Sequence, residues 1–493
     1  MTQIAVKEVV HYSQPETVTD RQIDSKTLYF QLDGSPDDAA LAEGADYLRR
    51  QLAQARDLEC DLPAEPAGIQ AWIEANTRQV GQQYAAYLEA RKAGAPRRYF
   101  GSKAHALYFL QSVAPTKLVD GSWLYGLVAR WREARFAPLI RIYLEELGEG
   151  VPDKNHVAIY RRLLDTHGCT RWQDLDDSRF VQGAIQLALA HHAADFLPEV
   201  IGFNLGYEQL PLHLLITSYE LNELGIDPYY FTLHVTVDNA ASGHARMAMQ
   251  GLLDALPRAA DGAEFYRRVR DGYRLNMLGA GTTSVIADFD LERELLHVLA
   301  SKCAVGSYMH SNYCRIGGKS VNQWLADPAQ LPGFLDAMQQ AGWIRRHAHP
   351  EQSRFWKLIQ GEHAEMFGVF NAYERQVIHD WIAGDSLHGA RNRPLSYKAK
   401  RRLLDAPEPE PRAEAHAGAP RGVLRRHPSP PGQTPQGADD FSRELRELED
   451  RLASLPGRDA MMDMLSPLLA PSLHHSAAGM MATRIYARLL DQA

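Results

Sequence analysis

From Ile69 onward the chain carries apolar residues at helical spacing with few interruptions. IQAWIEANTRQVGQQYAAYLEARKAG predicts one helix, stopped before Pro96, and SKAHALYFLQSVAP predicts a second, ended by Pro115. A long third helix is expected through WLYGLVARWREARFAPLIRIYLEELGEG, closed by Gly148 and Gly150. PDKNHVAIYRRLLDTHG opens with Pro152 in its first turn and stops at Gly168. RFVQGAIQLALAHHAADF and PEVIGFNLGYEQLPLHLLITSYELNELG follow, with Pro211 placed to kink the second. Asp227 and Pro228 then cap the start of a helix through YYFTLHVTVDNAASGHARMA. Strand signals are scarce. The piece TLYFQL, in the mixed stretch of residues 1–66, is strand-like. The pattern predicts an all-α bundle.

Beyond the bundle, DLERELLHVLASKCAVGSYMH, LPGFLDAMQQAGW and GEHAEMFGVFNAYERQVIHDWIAG predict more helix, as a second layer or domain. Residues 405–437 are rich in Pro, Gly, Ala and charge and poor in core formers, which predicts a disordered linker. A short helical tail closes the chain. The expected organisation is an N-terminal region 1–95 (irregular, then helical), a core domain 96–275, a helical region 276–400, a linker 401–440 and a tail 441–493.

Composition narrows the classes. Hydrophobic residues at 45% and charged residues at 23% suit a soluble globular protein with a sizeable core. A net charge of -8 argues against nucleic acid or an anionic membrane as partner. Four cysteines without a CxxC pair argue for reduced thiols, and neither a signal peptide nor a long apolar run is visible. The expectation is a cytoplasmic protein acting on a small molecule, with a homodimer compatible.

The helix at 229–248 poses the chemical question. His234 and Asp238 are four apart, so they differ by ~40° and share a helix face. An imidazole beside a carboxylate suits a first-row metal, and a satisfied buried histidine beside an exposed acid is an equal competitor. His244 lies six beyond Asp238, ~240° around a regular helix, so it shares that face only if NAASG breaks the helix. Glu208 stands among apolar and small residues, where a carboxylate is costly to bury unless paired or metal-bound; taken alone, a surface Glu on an amphipathic helix is the stronger reading. Glu145, Glu146 and Glu149 end one helix just before His156 starts the next, so they could face one cavity, and an acidic helix end beside a surface histidine is a common alternative. Inward carboxylates and imidazoles on facing helices are how bundles build dimetal sites.

In EELGEG with the Asn-His at 155–156, GFNLGYE at 202–208 and LGIDPYYFTLHVTVD at 224–238, the chain resembles the heme-oxygenase-like diiron oxidases and oxygenases, a group of iron-containing redox enzymes. The resemblance covers roughly residues 100–275. It implies a heme-oxygenase-like helical bundle and ligands at Glu146, His156, Glu208, His234, Asp238 and His244 for two Fe(II) ions that activate O2. It also implies oxidative C–C cleavage of fatty acids or amino acids, or oxygenation of amine nitrogens. Many members carry His-xxx-Asp-xx-His on the last core helix, whereas five residues separate Asp238 from His244 here. Glu146 fits the Glu-x-Gly context of several members and Glu149 the spacing of others; Glu146 is preferred. APTKLVDGSWL, AGWI and SRFWKL also resemble long-chain members and carry no obvious chemistry.

Weaker signals are set aside. GAGTTS and GGKS lack the context of nucleotide loops, with Tyr313 where a P-loop needs glycine. Cys303, His310 and Cys314 have no fourth ligand at matching spacing. Of His191 and His192, one can line a cavity, and GEHAEMF reads as a solvated helix start. A carboxylate-rich pocket suits iron ions better than haem. Two other readings stand: a helical interaction protein that has lost catalysis, and a cofactor-independent oxidase whose histidines act as acids and bases.

Overall fold

The computed structural model describes residues 23–237, 243–258, 261–389 and 440–492, and these are overwhelmingly helical. The expected linker at 401–440 lies, up to residue 439, outside the described residues. TLYFQL is helix, not strand. Asp24 caps α1 (Ser25–Asp33) by accepting from the Thr27 N–H, and Leu28, Tyr29 and Leu32 then share the buried face. Asp37 caps α2 (Asp38–Ala55) in the same way, and α3 (Ile69–Lys92) follows as expected.

Prolines begin helices here more often than they end them. α4 (Lys103–Ser112) stops short of Pro115, which lies in the first turn of α5 (Ala114–Lys117). The long helix expected from Trp123 to Gly150 is four pieces: 3-10 turns at Ser122–Arg130 and Ala134–Phe136, then α6 (Ala137–Glu146) and a 3-10 turn at Gly148–Gly150. Pro138 explains the break, because it has no N–H to donate and is tolerated only where a helix starts. α7 (His156–His167) is capped by Asn155, whose Oδ1 accepts from the Ala158 N–H, so Pro152 belongs to the preceding loop. α8 (Val181–His191) is followed by α9 (Leu197–Tyr207), and Pro211 separates α9 from α10 (Leu212–Glu223) as a full break rather than a kink. α11 (Tyr229–Val237), α12 (His244–Ala255) and α13 (Gly262–Arg274) complete the central part.

The remaining described chain holds α14 (Thr282–Ala287), α15 (Leu291–Gly306), a small hairpin pairing Arg315–Ile316 with Lys319–Ser320, α16 (Val321–Leu325), α17 (Leu331–Gln340), α18 (Arg354–Ile359) and α19 (Ala372–Ala383). The segment GEHAEMF is turns, not a helix start, framed by Gly361 and Gly368 at positive φ. The tail forms α20 (Asp440–Ala453), α21 (Arg458–Leu465) and α22 (Ala477–Asp491).

Two apolar cores result. One joins α1, α2, α6, α8, α9, α12 and α13 with the tail, through Leu448, Met462, Leu469 and Tyr486. The other joins α4, α7, α10 and α11 with α15 to α19. Buried carboxylates pin the second core. Glu220 of α10 accepts from the N–H groups of Tyr99 and Phe100 at 3.0 and 2.9 Å, and Asp380 of α19 accepts from Ala104 N–H at 2.7 Å. The tail is tied to the first core near α6: Tyr486 Oη donates to the Val128 carbonyl at 2.7 Å, and Arg484 to the Gly150 carbonyl at 2.9 Å. Gly150 is at φ 76°, and a Cβ there would lie 2.1 Å from the Met480 carbonyl oxygen. Among the described residues, no helix is long and apolar enough to cross a membrane.

Burial depresses three histidines, His167, His213 and His475, from 6.5 to about 4, so the folded chain holds them neutral. Between those values the unfolded chain binds more protons than the folded one, so stability falls as pH drops from 6.5 toward 4. Denaturant midpoints measured across that range are expected to decline steadily; a flat profile would contradict it.

Candidate metal centre

The seam between the two cores is polar. Glu146 ends α6, Glu208 follows α9, His244 starts α12, His156 starts α7 and His234 lies on α11. All five are buried. With Asp120, they form two groups whose donor atoms lie within 4.8 Å of one another: Asp120, Glu146, His156 and His234 in one, and Glu146, Glu208 and His244 in the other. Glu146 is shared. Its Oε2 meets Nδ1 of His156, and its Oε1 lies 3.3 Å from Nδ1 of His244.

Of the six residues expected as ligands, five are thus brought together. Asp238 lies outside the described residues. The spacing problem at His244 is resolved by chain geometry, since His234 and His244 belong to separate helices. Glu149 is not in the cluster: it sits at φ 51° in the turn after α6, half exposed, and pairs with Arg141 at 3.6 Å. His191 instead lies 3.1 Å from the Leu32 carbonyl and His192 packs by Gly44; neither is among the described residues that line the cavity.

Asp120 was missed in the sequence. It lies in APTKLVDGSWL, the stretch read as carrying no chemistry, between α5 and a 3-10 turn where no helical period marks a face. The available signal was a Lys and an Asp three apart in an apolar run. Gly121 explains the local chain path. It sits at φ 78°, and a Cβ on it would come within 2.8 Å of the Glu146 Cβ. The shared carboxylate therefore packs directly on this glycine.

The imidazoles are oriented from behind. His234 Nδ1–H donates to the Tyr230 carbonyl at 2.9 Å, and its Nε2 lies 3.2 Å from Asp120 Oδ2. His244 faces Glu145 with Nε2 at 3.0 Å and Glu208 with Nδ1 at 3.1 Å. Such outer carbonyl and carboxylate partners fix which nitrogen faces a metal. Tyr230 Oη donates to Asp120, and the Tyr230 phenol is pushed up by burial and by that carboxylate.

The donor set fits a metal. Asp120 Oδ1, Glu146 Oε2 and His156 Nδ1 are buried and make no hydrogen bond among the described residues, although the last two are in close contact. Buried donor atoms gathered within 4.8 Å of one another suit a cation among them. Burial pushes the Glu146 carboxyl up, but His156 and His244 overcome it and hold it well below the usual range. For Asp120, burial opposes ionisation while Lys117 and His234 favour it, and its pKa stays low. Both are therefore ionised and able to ligate at neutral pH. Mixed imidazole and carboxylate donors suit Fe, Zn or Mn rather than a soft ion.

A cavity of about 590 Å³ opens onto Asp120, Glu146, Glu208 and His234. Its wall includes Lys117, Tyr207, Trp123 and His213. Trp123 Nε1 donates to Asn204 Oδ1 at 2.9 Å, which locks the indole against α9.

Residues 107–277 match the model of a family described as iron-containing redox enzyme. No curated protein and no solved structure matches the chain. The matched span contains the residues of both groups and Lys117, and over that span the chain is similar to iron-containing redox enzymes.

Proposed function

We propose that the protein is a non-haem diiron enzyme that uses O2 to oxidise a small organic substrate, by N-oxygenation or oxidative C–C cleavage. The observation that carries this reading is one buried carboxylate, Glu146, shared by two acid and imidazole groups at the mouth of a cavity. Asp120, Glu146, His156 and His234 would hold one iron, and Glu146, Glu208 and His244 the other. Iron bound there would supply the electrons that O2 activation requires.

The rest is done by the chain. Glu145 and the Tyr230 carbonyl keep the imidazoles turned toward the seam. Tyr230 fixes Asp120 by its hydroxyl. The two cores flank the seam and shield it from bulk water, which strengthens each electrostatic contact inside. His213, held neutral because burial and then Lys117 disfavour its cation, presents a hydrogen-bonding group to whatever enters the cavity.

Anaerobic titration with Fe(II) is expected to saturate at about two ions per chain, a stoichiometry set by the two groups. Admission of O2 should then give oxygen uptake that a strong chelator abolishes. No iron uptake, or oxygen uptake that survives chelation, would contradict the reading.

A further inference from the structure

The geometry points to Lys117 as the anchor for a substrate carboxylate, so that the cavity takes a small organic acid with a polar body. This deepens the iron reading and rests on it for the role of the cavity.

Among the lysines and arginines described, Lys117 is the one that lines the cavity. Its ammonium lies 5.2 Å from the Tyr207 ring centre and 5.7 Å from that of Tyr230, a cradle that suits a cation. An ammonium has three protons to donate. Among the described residues its hydrogen bond is a long one, 3.4 Å to Tyr207 Oη, and Asp120 Oδ1 stands off at 3.8 Å. Asp120 is also the carboxylate a metal would claim. Lys117 is thus a half-buried cation whose nearest counter-charge is shared, and it faces an open space beside the reacting centre. A ligand carboxylate completes its coordination.

The α3 side of the lining bears on the rest of the ligand. Trp72, Asn76, Gln79, Val80 and Gln83 of α3 face the cavity at spacings of four, three, one and three, a single helical stripe. Three of these five are amides, with Asn76 half-buried and Gln79 and Gln83 exposed at the rim, and each can bond a polar body. Thr116, Thr217 and Asn276 continue that polar lining, and Phe109, Val113, Leu214 and Phe231 give the cavity an apolar side as well.

The test is calorimetric titration of the anaerobic iron-loaded protein with a panel of amino acids and hydroxy acids. Each is paired with the amine or alcohol that lacks its carboxylate, and octanoate serves as an apolar acid. At least one polar carboxylate should bind about tenfold or more tighter than its decarboxylated partner and than octanoate, the scale of one charge-assisted bond. Lys117→Met should erase that preference and Lys117→Arg should retain part of it; Lys117→Gln replaces the methionine variant should that one fail to fold. Equal binding within every pair, no binding by any polar carboxylate, or a preference intact in Lys117→Met would overturn the assignment. Iron content is measured in the same samples and the titration is repeated on metal-free protein. Loss of iron with carboxylate preference retained counts against the metal reading alone.

Discussion

Glu146→Ala protein is expected to bind iron at neither position and to show oxygen uptake reduced by at least about 100-fold, the upper range for loss of even an outer partner of a metal site. The size of the effect follows from sharing. Glu146 is the residue common to both donor groups, so removing it leaves one group with Asp120 and two imidazoles and the other with Glu208 and His244. Glu149→Ala is the matched control three residues away. Its side chain is half exposed and pairs with Arg141, so iron content and activity should be unchanged. Metal analysis of both variants checks this, with circular dichroism to confirm that each remains helical. Iron retained by Glu146→Ala and lost by Glu149→Ala would reverse the assignment.

Removal of residues 440–493 should have the largest effect on stability. Met462, Leu465, Leu469 and Tyr486 of the tail are fully buried in the first core. At roughly 1.5–3 kcal/mol for each large apolar side chain, their loss alone approaches the total stability of an ordinary domain. The tail also reaches the turn that leads into His156. His474 is buried and lies with Nδ1 3.1 Å from Asn155 Nδ2, and burial, then His475, holds His474 well below the usual histidine range, so it accepts from Asn155 as a neutral ring. Asn155 in turn donates to the Leu147 carbonyl at 3.2 Å and caps the helix that begins with His156. The truncated chain is therefore expected to lose its cooperative thermal transition or to melt more than about 10 °C lower. His474→Ala should be milder, weakening iron binding while the fold persists. A truncated chain that melts like the full one would show that the tail contacts contribute little.

The helices were legible because they rest on spacing. Glu146, Glu208, His156 and His234 were singled out by the resemblance, because spacing alone left each of them open to an ordinary structural reading. Segment ends were legible less often. Pro115, Pro138 and Pro211 mark starts or full breaks, since the sequence signal for a proline stop and a proline start is the same until the next turn is known. Asp120 was invisible because it lies between short helical turns, where no period assigns a face, and its importance comes from long-range packing against His234 and Tyr230. TLYFQL misled because its aromatic and β-branched content favours strand, while one side-chain cap at Asp24 and a buried helical face outweigh that preference.

The central claim is that two irons flank Glu146. Crystals grown and loaded with Fe(II) without oxygen, with diffraction recorded on both sides of the iron absorption edge, test it most directly. Two anomalous peaks are predicted, one among Asp120, His156 and His234 and the other among Glu208 and His244, with the Glu146 carboxylate between them. Peaks elsewhere, or none in that seam, would contradict the account.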